Sequence, residues 1–414
     1  MMSRQLAIWA IAALSTLGVI ARPLGLPEAV WAVSGAALLV LLGLIAPGAA
    51  FIGIRKGFDV YLFLTGMMLL AEIARKEGLF DWLAAFATRR ARGSATRLFL
   101  LVYCVGILIT AFLSNDATAV VLTPAVAAAA RTAKAKQPLP YLLICAFIAN
   151  AASFVFPISN PANLVIYGSR MPPLWLWLPR FILPSIVSIA ATYFMLRFTQ
   201  REALRQDLAV DVPVPLLSNA AKTAALGIAA TAVLLLIVSA LDIQLGLPTF
   251  IAGALTALLV LVRSRKSPWA TVKDISWGVL PLVAGLFVLV EALHQTGVIQ
   301  FLGETLQHAA SRSANAAAWG AGLVAAVACN LMNNLPAGLI AGSAVAAAPD
   351  QLKSAVLIGI DLGPNLSVTG SLATILWLTA LRREGLRVGA WTFLKLGLVV
   401  MPPALLLALA ALIH

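Results

Sequence analysis

The sequence predicts an all-α polytopic membrane protein with two halves of opposite topology. Three observations carry that expectation. First, the 414 residues are 61% hydrophobic and only 11% charged, with mean hydropathy +0.97, where a soluble domain is about 25% charged. Second, the basic residues sit in short loops between apolar runs, which is how membrane topology is written. Third, Leu113-Ser-Asn-Asp-Ala-Thr118 and its echo Asn330-Leu-Met-Asn-Asn-Leu-Pro336 place polar knots in the middle of apolar runs. Asn and Asp compete for backbone hydrogen bonds and Pro removes one. A break of this kind survives in a bilayer only where the freed backbone lines protein or a watery cavity.

The elements follow in order. Apolar runs long enough to span, roughly 17–25 residues each, fall at about 6–21, 28–46, 58–74, 174–198, 221–241, 247–262, 275–293 and 390–413. Two further runs, 140–169 and 352–380, are interrupted by polar residues and Pro. Two regions with polar tips, 97–130 and 314–348, have arms short for two full spans, and read as re-entrant hairpins. The expected fold is about ten transmembrane helices with two hairpins and two interrupted helices. Met1 to Ile20 resembles a signal peptide, but no small-residue cleavage pattern stands before Arg22-Pro23, so it reads as a retained first span. Helical bundles of this kind occupy the bacterial inner membrane, since outer-membrane spans are barrels.

Charge assigns the faces. Arg89, Arg90, Arg92 and Arg97 precede the first hairpin and Arg131, Lys134 and Lys136 follow it, which makes both its ends cytoplasmic. Arg197, Arg201, Arg205 and Lys222 make 199–220 a cytoplasmic linker, and Arg263, Arg265, Lys266, Lys273, Arg382, Arg383 and Arg387 mark the same face. The second hairpin has only Arg312, Asp350 and Lys353 at its ends and opens outward. This assignment puts both termini outside, with Arg55 and Lys56 against the rule. The net charge of +13 does not imply nucleic acid, because no basic patch is interleaved with aromatics. Trp175, Trp177, Trp269 and Trp391 lie near run ends and read as an interfacial belt.

The chain also repeats, with a period of roughly 210–220 residues. Glu72 stands six residues before Gly78, and Glu291 six before Gly297. An amphipathic segment, a polar-tipped hairpin and an interrupted span follow in each half. The expected division is a first repeat over 1–198, the linker 199–220 and a second repeat over 221–414. Inverted repeats with paired broken helices point to a secondary transporter with a mid-membrane site.

The side chains at the breaks are Ser114, Asn115, Asp116, Thr118, Asn160, Asn163, Asn333, Asn334, Asn365, Thr369, Ser371 and Thr374, with no Lys, Arg or His among them. Such a set favours a small neutral polyhydroxyl solute, or an ion held by oxygen ligands, over a fixed-charge anion site. Asp116 and Asp361 must be paired or protonatable at that depth. Each is either a proton carrier or a helix N-cap. Glu72 and Glu291 read as interface anchors or salt-bridge partners. Cys104, Cys145 and Cys329 stand alone in apolar runs; they read as small hydrophobes, or, for Cys104 and Cys329 in the hairpins, as thiols for a soft metalloid. His294, His308 and His414 show no ligand spacing, no cofactor is expected, and no Walker-type loop appears. No metal-ligand spacing or nucleophile–base pair supports an enzyme.

Ser114-Asn-Asp-Ala-Thr-Ala-Val-Val-Leu-Thr-Pro124, Asn333-Asn-Leu-Pro336 and the stretch Leu357 to Trp377 (with Asp361-Leu-Gly-Pro-Asn365) resemble the bacterial arsenite/antimonite efflux permeases of ArsB type, in the ion transporter superfamily. The resemblance runs from about Asp59 to Trp391 and departs at Ile360, where the family carries Asn, and at Ser367-Val368, where Thr-Pro is common. It implies a substrate site at Asn115, Asp116, Asn160, Asn163, Asn333, Asn334 and Asp361, to which the break residues Thr118, Thr369 and Ser371 are added. It implies export of trivalent arsenic or antimony hydroxide driven by protons, with an optional soluble ArsA-type ATPase partner. Arsenous acid is uncharged at neutral pH, and amides and hydroxyls can satisfy its three hydroxyls without a counter-charge. The alternative on the same architecture is a sodium-coupled carboxylate or sulfate symporter.

Overall fold

Apolar helix after apolar helix is what this composition dictates, because a chain in hydrocarbon must satisfy its backbone internally. A computed structural model describes residues 2–168, 171–210 and 212–414. Among these residues the structure is helical, with one isolated bridge between Ser94 and Asp207 in place of any strand. Seven helices are long and apolar enough to span alone: Arg4–Ala21, Ala95–Phe112, Leu174–Thr199, Asn219–Ala240, Gly246–Ser264, Ala314–Met332 and Ala390–Ile413. Two bent pairs raise that number to nine, Pro47–Lys56 with Phe58–Lys76 and Pro268–Asp274 with Val279–Gln295. The end of the expected run 140–169 lies outside the described residues.

Hydrogen bonds fix where the first hairpin opens. Leu208 N–H donates to the Gly93 carbonyl at 3.0 Å, and Ala209 N–H donates to the Ala133 carbonyl at 2.9 Å. Consecutive linker residues therefore hold the two ends of the hairpin together. Arg131 at its end also pairs with Glu384 at 2.5 Å. The second hairpin opens on the far face. Its first arm starts beside the next helix, Asn315 Oδ1 accepting from Gln351 at 3.2 Å. Its return arm ends nearby, the Ala346 carbonyl accepting from Lys353 at 3.4 Å. Asp350 there pairs with Arg180 at 3.0 Å. Arg180 stands near the start of Leu174–Thr199, about 28 Å along the helix axis from its linker end. The ends of the two hairpins thus lie near opposite ends of Leu174–Thr199.

The arms differ from expectation. The first arms, Ala95–Phe112 and Ala314–Met332, are 18 and 19 residues long, full spans by length rather than short ones. Each ends on a protein-covered tip: Leu113, Ser114, Asn115 and Thr118 are buried, as are Asn333 and Asn334. A second correction concerns the tryptophans. Trp175, Trp269 and Trp391 are well exposed, as a belt requires, but Trp177 is fully buried and its indole donates to the Phe154 carbonyl at 3.2 Å. It braces the first interrupted span instead.

The helices pack as two groups, and neither group is a sequence half. One contains Met2–Ala21, Glu28–Leu41, Pro47–Lys56, Phe58–Lys76, Asn219–Ala240, Gly246–Ser264 and Val279–Gln295. The other contains both hairpins, both interrupted spans, Leu174–Thr199 and Ala390–Ile413. In the second group each hairpin's first arm runs parallel to the first part of an interrupted span. Gly106 faces Ile144 and Ile148, and Gly322 faces Ala355 and Gly359. Small residues let such backbones approach, which matters where lipid gives no hydrophobic drive for helices to associate. Repeat-related Glu72 and Glu291 are both ion-paired: Glu72 with Arg75 at 2.6 Å, Glu291 with Lys56 at 2.6 Å. The second pair neutralises the lysine whose position opposes the charge rule.

The first group depends on the crossing of Phe58–Lys76 with Gly246–Ser264. A Cβ on Gly66 would stand 2.3 Å from the Thr249 carbonyl oxygen, and one on Gly253 would stand 2.5 Å from that of Gly66. Gly66→Ala should therefore destabilise the protein in detergent by about 1–3 kcal/mol through overpacking. Gly320→Ala, in a helix with open space around it, should leave the thermal midpoint unchanged or slightly raised. Equal midpoints for the two variants would contradict this packing.

Candidate functional site

Four helices begin inside the protein, and a small polar residue caps each. Ser114 Oγ accepts from Ala117 N–H at 3.2 Å, and Asn160 Oδ1 from Ala162 N–H at 3.0 Å. Asn333 Oδ1 accepts from Leu335 N–H at 3.3 Å, and Ser371 Oγ from Thr374 N–H at 3.1 Å. These caps satisfy donors that would otherwise be bare at a helix start. They also remove the cap reading of the two aspartates. Asp116 follows its cap by two residues and sits beside Asn115, whose Oδ1 accepts from the Asp116 N–H at 2.9 Å. Asp361 lies at the C-terminal end of Asp350–Leu362, where a carboxylate meets carbonyls rather than N–H groups.

Asp361 is instead tied across the protein. Its Oδ1 accepts from Asn160 Nδ2 at 2.8 Å. A second bridge joins the same two spans, Asn150 Nδ2 to Asn365 Oδ1 at 2.9 Å, with Asn365 Nδ2 donating to the Phe147 carbonyl at 3.0 Å. Asn163 folds back on its own break and donates to the carbonyls of Ser153, Pro157 and Phe156 at 2.9, 3.3 and 3.4 Å. The interrupted spans, Leu139–Tyr167 and Asp350–Arg383, therefore meet break to break. All of these polar residues are buried.

Each hairpin tip closes on a break. Ser159 Oγ donates to the Ala111 carbonyl at 3.0 Å, and Thr110 and Thr118 hydroxyls meet at 2.8 Å across the first tip. Thr118 also opens a π turn, Thr118–Leu122, ahead of Pro124, an irregularity common at functional sites. At the second tip Asn330 is the centre. Its Nδ2 donates to the Gly363 carbonyl at 2.9 Å, its Oδ1 accepts from Ser367 at 2.6 Å, and its carbonyl accepts from Thr369 at 2.9 Å. Asn334 N–H donates to the Gly370 carbonyl at 2.9 Å. Asn333 turns the chain at φ 74, ψ 152, a strained conformation for a residue with a Cβ. Ser371 and Thr374 hydroxyls lie 2.9 Å apart.

A cavity of about 610 Å³ opens between the two helix groups and runs from the linker face to the first tip. That volume lies within the range of small-molecule sites. Glu72, Arg75, Asp274, Arg383 and Glu384 ring its mouth, and Ser114, Asp116 and Pro161 line its inner end. Of the residues singled out in the sequence, Asp116 stands on the cavity wall. Asn160 stands beside wall residue Pro161 and hands its bond to Asp361. Asn163, Asn333, Asn334 and Ser371 are off the wall and buried, and Thr369 is off the wall and half-buried. Asn150, Asn330, Asn365 and Ser367 carry as much of the network as the site residues chosen from sequence. Asn330 opens a motif already quoted and Asn150 lies within the interrupted run 140–169, each on the helix turn before its break, and that position was the available signal.

The cysteines do not converge. Cys145 and Cys329 are buried and Cys104 is exposed. Among the described residues no group of three or more His, Cys, Asp or Glu could hold a metal. The polar core is built for hydrogen bonding.

Residues 7–384 match the family model described as a citrate transporter, CitMHS. The chain belongs to the CitMHS family. As a member it is a multi-pass transporter of the bacterial inner membrane. Its relatives include the arsenical pump membrane protein of Escherichia coli K12, 26% identical over 97% of both chains. That of Yersinia enterocolitica is 27% identical over 84% of each. An uncharacterised transporter of Mycobacterium tuberculosis is 28% identical over 91% of each. The likeness to ArsB-type permeases read from three motifs thus extends along nearly the whole family member. In fold it is similar to the YdaH transporter of Alcanivorax borkumensis, with TM-score 0.61, 15% identity and 97% and 98% of the two chains covered. The MtrF structure of Neisseria gonorrhoeae gives TM-score 0.51, 15% identity and 88% and 82% coverage.

The bridge between Asn150 and Asn365 is testable by a double-mutant cycle. Each single alanine variant should lower stability by about 1–3 kcal/mol by stranding a buried amide. The pair should cost less than the sum, with coupling of about 0.5–3 kcal/mol. Additive losses in detergent unfolding would show that the two amides do not act on each other.

Proposed function

We propose that this transporter exports arsenite and antimonite, as their neutral trivalent hydroxides, in exchange for protons. The observation that carries the reading is the core's composition. Two breaks and two tips meet in a set of amides and hydroxyls with no basic side chain, and two carboxyls, Asp116 and Asp361, are placed within it. An uncharged polyol-like solute needs such hydrogen bonds and no counter-charge. Relatives named arsenical pump membrane proteins over nearly the full chain support the same substrate. In this reading the linker face is cytoplasmic by its Lys and Arg, and the cavity takes substrate from the cytoplasm. The two halves act as inverted repeats around the site, and Asp116 carries the proton. A soluble ATPase is an optional partner, because the chain has no phosphate-binding loop of its own.

The family description, a citrate transporter, favours the second reading, a carboxylate symporter, for which sodium is the coupling ion expected from the sequence. Four inward helix N-termini would suit an anion, although Ser114, Asn160, Asn333 and Ser371 already occupy them.

Everted vesicles separate the two. With an inward-acid proton gradient they should accumulate arsenite and antimonite, without sodium. Citrate accumulation that requires sodium would replace the first reading with the second. Asp116→Asn keeps the shape of the side chain and removes the ionisable group. It should lower proton-driven flux at least tenfold while leaving counterflow of arsenite against arsenite intact. Unchanged proton-driven flux would remove the proton role from Asp116.

A further inference from the structure

Three hydrogen-bond chains in the core start on backbone groups, and each ends on an unpaired atom. In the first, Asn365 must turn Nδ2 toward the Phe147 carbonyl, at 3.0 Å. Its Oδ1 then faces Asn150, which answers with Nδ2 at 2.9 Å and is left with Oδ1. In the second, Asn160 must turn Oδ1 toward the Ala162 N–H, at 3.0 Å. Its Nδ2 then meets Asp361 Oδ1 at 2.8 Å, which leaves Oδ2. In the third, Asn163 Nδ2 stands among the carbonyls of Ser153, Phe156 and Pro157. A flipped amide there would set oxygen against three oxygens, so Oδ1 points away.

The backbone therefore decides the polarity of every amide in these chains, and no side chain can reverse one alone. The atoms left over are Asn150 Oδ1, Asn163 Oδ1 and Asp361 Oδ2, none with a hydrogen bond of good geometry among the described residues; the Ser153 hydroxyl, which gives its proton to the Asn150 carbonyl at 2.7 Å, also stands beside the Asp361 carboxyl. Asn150, Asn163 and Asp361 are 1%, 0% and 0% exposed. Asn334 Oδ1 at the second tip is a further unpaired acceptor. Such orphaned buried groups call for a ligand, ion or water.

We infer that the core reads its substrate as a hydrogen-bond donor, with Asn150, Asn163 and Asp361 as the specificity-determining acceptors. The inference rests on the transport reading above and deepens it. A neutral trivalent hydroxide offers O–H donors to these oxygens. Citrate or arsenate ionised at neutral pH offers chiefly acceptors and would set oxygen against oxygen. Binding groups left unpaired in this way are the strongest basis for discrimination between ligands of similar size.

The test is thermal unfolding of the purified full-length protein in sodium-free choline buffer, with antimonite, arsenite, citrate, arsenate or sodium chloride added singly. Antimonite and arsenite should raise the midpoint, and the other three should not. Asp361→Asn keeps the oxygen that receives the Asn160 bond and turns the free acceptor into a donor. It should weaken antimonite binding roughly tenfold or more, the cost of one mismatched buried hydrogen bond. Stabilisation by citrate or arsenate overturns the inference. So does a shift produced by sodium alone, or a folded Asp361→Asn protein with unchanged antimonite affinity. Should that variant fail to fold, the ranking of ligands on the unsubstituted protein still decides. Vesicles that accumulate arsenite in any of these cases leave the transport reading standing; vesicles that accumulate citrate remove both.

Discussion

A backbone interrupted inside hydrocarbon must find its hydrogen bonds in protein, and the rest of this structure follows from that requirement. Each unmet N–H or C=O would cost several kcal/mol in lipid. The chain has two tips and two interrupted spans, so it gathers them where they satisfy one another. Asn160 caps its own helix and bonds to Asp361 of the other half. Asn330 holds Gly363, Ser367 and Thr369. The site is thus not added to the fold. It is the place where the fold's irregular backbone is made tolerable, and the same polar groups that repair the breaks are then available to a solute.

The two packed groups give that core its access. The hairpins and interrupted spans form one body, and the helices from 2 to 76 and from 219 to 295 form another. The cavity lies on the seam between them, with Met67, Glu72 and Arg75 on one wall and Asp116, Thr379 and Arg383 on the other. A path along such a seam can be opened or closed by moving one body against the other. Within each body the glycine crossings hold backbones together and leave little freedom.

Much of this was legible in the sequence because it violates hydropathy. A polar knot in an apolar run is conspicuous, and both hairpins, both breaks and the two aspartates announced themselves in this way. Ionic topology signals were equally readable, including the odd Lys56, which the fold neutralises with Glu291. What stayed hidden depends on tertiary register. Asn150 lies within a run of buried apolar residues from Tyr141 to Ala152, and only the approach of Asn365 gives it a role. Asp116 and Asp361 looked alike in the linear chain, yet one faces the cavity and the other bridges two spans. Trp177 resembled an interfacial anchor until its burial against Phe154 was seen. The arrangement of two packed bodies cuts across the sequence halves, so no linear reading of repeats could show it.

The central claim is that a neutral hydroxide is held by hydrogen bonds where the two interrupted spans meet. Its most direct measurement is the position of antimony in a structure of the antimonite-bound protein, located by anomalous scattering. A single strong peak is expected beside the breaks, within hydrogen-bonding reach through its hydroxyls of Asp361 and Asn163. A peak bonded to sulfur at Cys329 or Cys104, or none in the core while citrate density appears there, would contradict it.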